Sequence, residues 1–408
     1  MDESPKIMHL PHPVIIGGGP VGAVLALLLQ QKNVAFTMLE ARSKGASHQD
    51  TRALALSYGS RLILEKLNIW KAVAPKATAI HTIHISQRGG LGRTKLNAAD
   101  QNMPALGYVL PYGVLTQALD AALEHKLGNS PFTIQEQNSS QIWYEALANN
   151  IASSSQGATV SFSHPNGENT LSTVSSPLVI VADGGRNFGE IAGVEKETKE
   201  YGHDALVSKV KAELAHDNIA YERFTPTGPM ALLPNGERDF SLVWTGEKEK
   251  IDVLLKLDDA TFLAQLHEAF GDRVGKFLSI EKRISFPLKL SQLKSSSIAH
   301  LAIIGNAAQT MHPVAGQGFN VGLRDAQTLA DMVVNTPPAQ WGDVDMLKTY
   351  SKLRSRDTRG GVLFTDLLVN LFSNDIAGLS GLRGTGLGAL ELLQPVKNLL
   401  IGKMSYGK

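Results

Sequence analysis

Short apolar runs that end at glycine recur along this chain and predict its architecture. Val14-Ile15-Ile16 is a β-branched run suited to a buried parallel strand, and it leads into Gly17-Gly18-Gly19-Pro20-Val21-Gly22. Ala23 to Gln31, rich in Ala and Leu, predicts a helix that Asn33 breaks. Val34 to Leu39 then predicts a second strand ending at Glu40. Together these form one βαβ unit. Pro177 to Ala182 is a further strand running into Asp183-Gly184-Gly185-Arg186, and Leu301 to Ile304 another running into Gly305-Asn306. Beyond Gly316-Gln317-Gly318, the residues Gly322, Ala326, Leu329 and Val333 share one helical face.

The intervening pattern is mixed. Asp50 to Trp70 has helical spacing, with Leu54, Leu62, Ile63 and Leu67 as buried positions, and Gly113 to Leu127 predicts another helix. Ile80 to Gln87 alternates and predicts a strand. Asn129 to Gln156, rich in Ser, Asn and Gln, predicts a solvated connection. Ala158 to Ser163 and Asn169 to Val174 flank Pro165-Asn166-Gly167 and predict a hairpin. Strand-like runs follow at Ala205 to Val210, Met230 to Leu233 and Phe240 to Trp244, with a helix at Thr261 to Phe270. Beyond about residue 335 the pattern is mostly helical, with glycine-rich joints around Gly378 to Gly388. The order predicts an α/β chain whose nucleotide-binding lobe is assembled from separated segments.

Composition narrows the chemistry. A chain of 408 residues predicts two or three lobes, and 43% hydrophobic with 19% charged residues is an ordinary globular balance. The formal net charge of +1 gives no electrostatic case for nucleic acid. With no cysteine there are no disulfides, thiolate metal sites or cysteine nucleophiles. The first 13 residues lack the apolar core of a signal peptide. Val14 to Leu29, about 16 residues broken by glycines, falls short of the roughly 20 a membrane span needs. The expectation is a chain that does not span a membrane.

The glycines suggest a ligand. Gly17, Gly19 and Gly22 have dinucleotide-loop spacing: the first permits the turn, the second close approach to a pyrophosphate, the third packing of helix on strand. Glu40, at the end of the second strand, is placed to accept bonds from ribose hydroxyls. Arg42 and Arg52 are candidate contacts on the following loop. This motif alone does not separate FAD from NAD, since both carry the same ADP half. Asp183 and Gly184 form a second glycine-rich strand exit and Asn306 marks a third. A glycine-flanked helix start offers free backbone N–H groups to an electron-rich ligand.

Three such motifs in this order resemble the FAD-dependent group A aromatic monooxygenases of the p-hydroxybenzoate hydroxylase type. Gln87-Arg88-Gly89 with Pro104-Ala105-Leu106-Gly107, Glu222-Arg223-Phe224 through Gly228 to Pro234, Gly305-Asn306-Ala307-Ala308-Gln309-Thr310 and Leu363 to Asn374 resemble the ubiquinone-biosynthesis hydroxylases, the 2-polyprenyl-6-methoxyphenol hydroxylase branch above all. The wider family has Asp where this chain has Asn306. An uncharged side-chain oxygen still accepts a ribityl hydroxyl, more weakly.

The resemblance implies a p-hydroxybenzoate-hydroxylase-like fold. Residues 1–79, 105–189 and 296–336 would form a discontinuous FAD-binding domain, residues 80–104 and 190–295 a mixed-sheet substrate domain, and 337–408 a helical C-terminal region. It implies NAD(P)H as reductant, O2 as oxidant, a flavin C4a-hydroperoxide as the hydroxylating species, and a polyprenyl phenol as substrate. Gly17, Gly19, Gly22 and Glu40 would hold the adenosine and pyrophosphate half. Asp183, Gly184 and Asn306 would face the ribityl and pyrophosphate region. Pro313, Gly316, Gln317, Gly318, Phe319 and Asn320 would line the isoalloxazine. His312 is the acid–base candidate, against a packed or loop-orienting histidine; His203 and Tyr201 are weaker candidates from the second lobe. No metal is expected.

A polyprenyl substrate resides in a bilayer. The apolar stretch Leu387 to Met404, with Lys397 and Lys403 interspersed, fits an amphipathic surface segment, a packed C-terminal helix or a dimer contact. The expectation is a cytoplasmic protein associated peripherally with the inner membrane, with membership of a biosynthetic complex and homo-oligomerisation left open. Two alternatives stand beside the main reading: a related hydroxylase acting on a small soluble phenol or another ring position, and a flavoprotein kept as a structural or lipid-presenting subunit.

Overall fold

Three short, fully buried strands stand side by side and parallel: Leu301–Ile303, Val179–Val181 and Val14–Ile16. Val179 lies opposite both Val14 and Leu301, so the three glycine-rich exits leave the same edge of the sheet. Thr37–Glu40 and Gln141–Tyr144 extend this sheet in parallel on the other side of Val14–Ile16. The strand order therefore reverses beside the first glycine loop, the place where open α/β sheets leave a crevice for a ligand. These features belong to a computed structural model that describes residues 7–89, 92–127, 139–163, 171–185, 191–225, 227–295, 297–310, 317–355, 357, 391 and 393–407.

The helix Pro20–Gln31 starts at a proline, whose missing N–H costs nothing in the first turn. Its Val24, Leu25 and Leu29 join Leu115 and Leu119 of helix Tyr112–Leu127 and Leu323, Ala326 and Leu329 of helix Gln317–Asn335 in the largest core cluster. Small residues allow the helices this approach. A Cβ on Gly322 would lie 2.9 Å from Val21 Cγ2 and 3.1 Å from Gly305 Cα.

A larger mixed sheet runs in the order Gln309–Thr310, Ile284–Leu293, Lys196–Ala212, Asp239–Glu247, Gly228–Pro234, Ile219–Thr225, Thr82–Gln87 and Arg93–Asn97. Its strands alternate. Leu206, Met230, Leu232 and Leu242 join Phe262 and Phe270 of helix Asp259–Phe270 in a core on one face. Their neighbours Val207, Ala231, Leu233 and Val243 point to the opposite face. Asp258 caps that helix, its carboxylate accepting the Thr261 N–H at 3.0 Å. Two smaller sheets complete the architecture: Ala53–Ser57, Gly107–Pro111 and Thr78–Ile80, and Ile7–His9 with the strands from 147 to 176.

Two expectations need correction. Asp50 to Trp70 is not helical throughout: Ala53–Ser57 is a strand paired with Gly107–Pro111, and the helix begins at Tyr58. Leu54 and Leu56 fit a period of two as well as the helical one, and a partner fifty residues away decides between them. The polar stretch expected as a solvated connection contains the strands Gln141–Tyr144 and Leu147–Ser153. The first is a sheet edge with only Trp143 fully buried, so its hydropathy is low.

The strands Ala158–Ser163 and Leu171–Ser176 pair as expected for a hairpin, while the turn itself lies outside the described residues. So do the segments around Leu363 to Asn374 and Gly378 to Gly388. Helix Gln394–Tyr406 ends at Gly407 in the left-handed conformation and packs on helix Tyr58–Lys66, with the Tyr58 and Tyr406 rings edge to face at 5.9 Å. In the amphipathic segment expected there, Lys397 is not on a surface face. It is buried and ion-paired with Glu391 at 3.2 Å.

Candidate active site

The first loop is closed by backbone contact that only glycine allows. Gly17 has φ +101°, and a Cβ there would sit 2.7 Å from Asp183 Cα; one on Gly22 would collide with the Gly17 carbonyl oxygen. The first and second motifs therefore touch. Gly19 caps the helix Pro20–Gln31 with no side-chain hydrogen bond, which leaves first-turn N–H groups facing the crevice.

Glu40 ends its strand with a buried carboxylate that accepts the N–H of Gly18 at 2.6 Å, the N–H of Arg42 at 2.8 Å and Arg42 Nε at 2.7 Å. Burial by itself would raise its pKa. The hydrogen bonds and charge of Arg42, with the Gly18 bond, hold it below the ordinary value, so the group is ionised at neutral pH. Arg42 also reaches Ser47, and Arg52 pairs with Asp50 at 2.5 Å while standing 5.6 Å from the Tyr112 ring centroid. The Tyr112 hydroxyl lies 3.8 Å from the Cβ position of Gly19, so Tyr112 belongs to this cluster. Sequence reasoning did not single it out.

Asp183 folds back to accept the Gly185 N–H at 2.8 Å, and the Cβ position of Gly184 faces open space. A Cβ on Gly185 would lie 3.4 Å from the Asn306 carbonyl oxygen, so the second loop runs beside the third. The Gly305 N–H donates to Asp325 Oδ2 at 3.0 Å; Arg354 then binds Asp325 at 2.5 Å and Asp357 at 2.7 Å, and Arg324 binds Asp357 at 2.7 Å. Burial raises the Asp325 pKa against the pull of Arg354. Burial also opposes ionisation at Asp357, but its two arginines outweigh it and lower its pKa. This buried network anchors the third loop. It was not foreseen, because its members, Arg324, Asp325, Arg354 and Asp357, sit 19 to 52 residues beyond the Gly305 that they hold.

Helix Gln317–Asn335 starts at this loop, with the Asn306 side-chain oxygen 3.6 Å from the Cβ position of Gly318. Asn320 is buried, and its amide is engaged locally. It accepts from the Ser57 N–H at 2.8 Å and the Ser60 hydroxyl at 2.7 Å, and donates to the Ala55 carbonyl at 3.0 Å. Its visible work is to brace strand Ala53–Ser57. His312, Pro313, Gly316 and the side chain of Gln317 lie outside the described residues, as does the side chain of Tyr201.

A cavity of about 350 Å³ opens between this helix start and the mixed sheet. Asn306, Gly318, Phe319 and Asn320 form one wall, and Val207, Val243, Ala231 and Ala220 the sheet face opposite. Leu54 to Ser57 and the C-terminal helix residues Ile401 and Met404 close the sides. Glu222 is the one ionisable side chain among the described lining residues. His203, half-buried opposite Glu247, does not line it.

The cradle fits a dinucleotide: three glycine exits at one sheet edge, a helix start without a side-chain cap, and an ionised carboxylate at the second strand. Comparison with known proteins decides which. A family model described as FAD binding domain matches residues 12–362. The chain belongs to this FAD-binding family. It is 32% identical over 397 residues to ubiquinone hydroxylase UbiL of Rhodospirillum rubrum, covering 95% of this chain and 88% of that protein. It is 30% identical over 384 residues to 3-demethoxyubiquinol 3-hydroxylase of Escherichia coli, covering 92% and 94%. Its fold matches p-nitrophenol 4-monooxygenase from Pseudomonas putida with a TM-score of 0.77 at 15% identity, over 98% and 99% of the two chains. The protein is thus an FAD-dependent aromatic monooxygenase with the p-hydroxybenzoate-hydroxylase-like fold, and NAD(P)H and O2 are the usual co-substrates of that class.

Proposed function

We propose that this flavoprotein hydroxylates the ring of a polyprenyl (methoxy)phenol in ubiquinone biosynthesis. The observation that carries the reading is the apolar cavity beside Asn306 and Gly318, in a chain similar over nearly its whole length to two ubiquinone hydroxylases. When bound, FAD supplies the transfer of one atom of O2 to the ring at the expense of reduced nicotinamide. The protein contributes position and dryness. Gly17, Gly19, Gly22 and Glu40, with Arg42 and Arg52 alongside, hold the adenosine and pyrophosphate half. Asp183, Gly184 and Asn306 meet the ribityl chain, and the start of helix Gln317–Asn335 faces the flavin ring. The apolar floor excludes water from the reacting carbon.

The cavity's composition favours this substrate over a small aromatic acid. No lysine, arginine or histidine stands among its described lining residues to pair with a carboxylate. Leu393 at the start of the helix, and Val396 and Leu399 on it, are exposed, and Ile401 and Met404 of the same helix line the cavity, which supports peripheral contact with a membrane and delivery of the prenyl tail along this side. Among the described residues no helix is long and apolar enough to cross a membrane.

The test is turnover by purified FAD-loaded protein, read as reduced-nicotinamide oxidation and product mass. A short-tailed 2-prenyl-6-methoxyphenol should stimulate oxidation more than p-hydroxybenzoate and gain one oxygen. The reverse preference supports the small-phenol alternative, and no turnover with either supports a structural role.

A further inference from the structure

The cavity is long as well as apolar. At one end stand Val207 of strand Lys196–Ala212 and Thr310, whose strand lies two places further out in the sheet and follows directly from Asn306. At the other stand Ile83 and Leu96, the latter on edge strand Arg93–Asn97, packed with Ile401 and Met404 of the C-terminal helix. Five strand spacings of about 4.8 Å, roughly 24 Å in all, separate Val207 from Leu96. A phenol ring at the flavin end fills little of that length. The volume of about 350 Å³ is nevertheless at the low end of the roughly 300–1,000 Å³ that enclose a drug-sized molecule, so a polyprenyl chain extends beyond it.

The distal end is shaped by a glycine that packing does not demand. Helix Gln394–Tyr406 turns Lys397, Ile401 and Ser405 inward and leaves Val396 and Leu399 exposed. Gly402 lies between these two stripes, next to Ile401 and in i, i+3 relation to Leu399. Glycine is unfavourable inside a helix. At Gly59 close approach requires it, because a Cβ there would meet the Ser405 carbonyl oxygen at 2.6 Å. At Gly402, among the described residues, no atom lies within 4 Å of the position a Cβ would take. The helix therefore carries a notch on its flank, between cavity-lining Ile401 and Ser405 and exposed Leu399. Both ends of the segment are fixed. Glu391 accepts from Thr94 Oγ1 at 2.6 Å and the Lys95 N–H at 3.0 Å, and the Tyr406 ring meets Tyr58.

Resting on the functional reading above, we propose that this notch is the exit for the substrate's prenyl tail, and that Gly402 and Leu399 are specificity-determining residues for tail length. The ring lies by Asn306 and Gly318. The first units of the tail follow the floor past Ala231 and Ile83 to Leu96, and the chain turns out beside Gly402 onto Leu399. Covering the tail stabilises the complex in proportion to the apolar area removed from water. Neither residue reaches the reacting carbon, so both act on KM rather than kcat.

The experiment compares wild type, Gly402→Leu and Leu399→Gln as FAD-loaded proteins on 2-methoxyphenols carrying no tail, one isoprene unit or four, read as kcat and KM for oxygenated product. Leucine is a good helix former and a Cβ at 402 meets nothing, so G402L should fold and hold FAD as wild type does. On the tail-less and one-isoprene phenols it should match wild type within twofold. With four isoprenes the filled notch should lower kcat/KM about tenfold or more, through KM. L399Q should lose about threefold with the four-isoprene phenol alone, since it removes one apolar contact. If G402L binds no FAD, L399Q carries the test. A tail dependence in G402L that matches wild type, or an equal loss on all three phenols, overturns the exit and leaves the functional reading intact. A wild type that oxygenates none of the three overturns that reading, and the exit with it.

Discussion

The glycine edge of the parallel sheet and the floor of the cavity face each other, yet they are specified in opposite ways. At the glycine edge the backbone makes the site. Gly17, Gly22 and Gly305 are there because a Cβ would meet Asp183, Gly17 or Val21, and the ligand-facing groups are backbone N–H groups at helix starts. At the floor the side chains make the site. Val207, Val243, Ala231 and Ala220 are ordinary strand residues, and one carboxylate, Glu222, distinguishes the face from a core. A backbone-built site tolerates almost no added volume at its turns. A side-chain-built site tolerates many substitutions and changes its chemistry with one.

The largest expected effect breaks the first region. Gly22→Val puts a branched side chain against the Gly17 carbonyl oxygen, where nothing can give without opening the loop. Purified protein should hold less than about a tenth of the wild-type FAD per chain, measured by absorbance after release. A yellow, stoichiometric G22V would show that the loop is not the dinucleotide cradle.

Next comes the network that fixes the third loop. Arg354→Ala leaves Asp325 and Asp357 buried without their shared cation, at a cost of about 3–5 kcal/mol. Chemical denaturation should show this loss, and FAD retention should fall with it because the Gly305 N–H leans on Asp325. A variant as stable as wild type would make the network incidental.

A smaller effect compares the two regions by pH. His12, bonded to Thr37 beside the parallel sheet, and His84, in the mixed sheet, are both buried, and each pKa is depressed to about 4. Burial dominates in both, with Arg273, Lys95, Arg93 and Arg223 adding at His84. Between about pH 6.5 and pH 4 the unfolded chain binds protons that these folded sites refuse, so stability falls as pH falls through that window and levels off below it. His12→Gln should flatten part of the slope of melting temperature against pH, and His84→Gln the rest. Unchanged slopes in both would place the acid sensitivity elsewhere.

What the sequence disclosed follows the same division. The strands at Val14, Val179 and Leu301 and their glycine exits were legible because backbone geometry demands particular residues at particular spacings. Strand Ala53–Ser57 and edge strand Gln141–Tyr144 were not, since long-range pairing with Gly107–Pro111 and Thr37–Glu40 decides them. The cavity floor was illegible for a plainer reason: an aliphatic strand face reads as core whether it meets a helix or a substrate. A signal for Glu222 did exist, an acid at the inward parity of Ala220 and Phe224, but parity needs the sheet to give it meaning. The Asp325 and Arg354 network left no local signature.

The central claim is that these two differently built regions form one site, with FAD on the glycine edge and the phenol ring on the floor. Titrating a 2-prenyl-6-methoxyphenol into the oxidised, FAD-loaded protein while recording the flavin's visible spectrum tests it most directly, using wild type and Ala231→Trp, which fills the floor beside Glu222. The account predicts a saturable spectral change in wild type, and in A231W the same FAD content with the apparent Kd raised about tenfold or more, roughly 1.4 kcal/mol. No spectral change in wild type, or an identical titration in A231W, would contradict it.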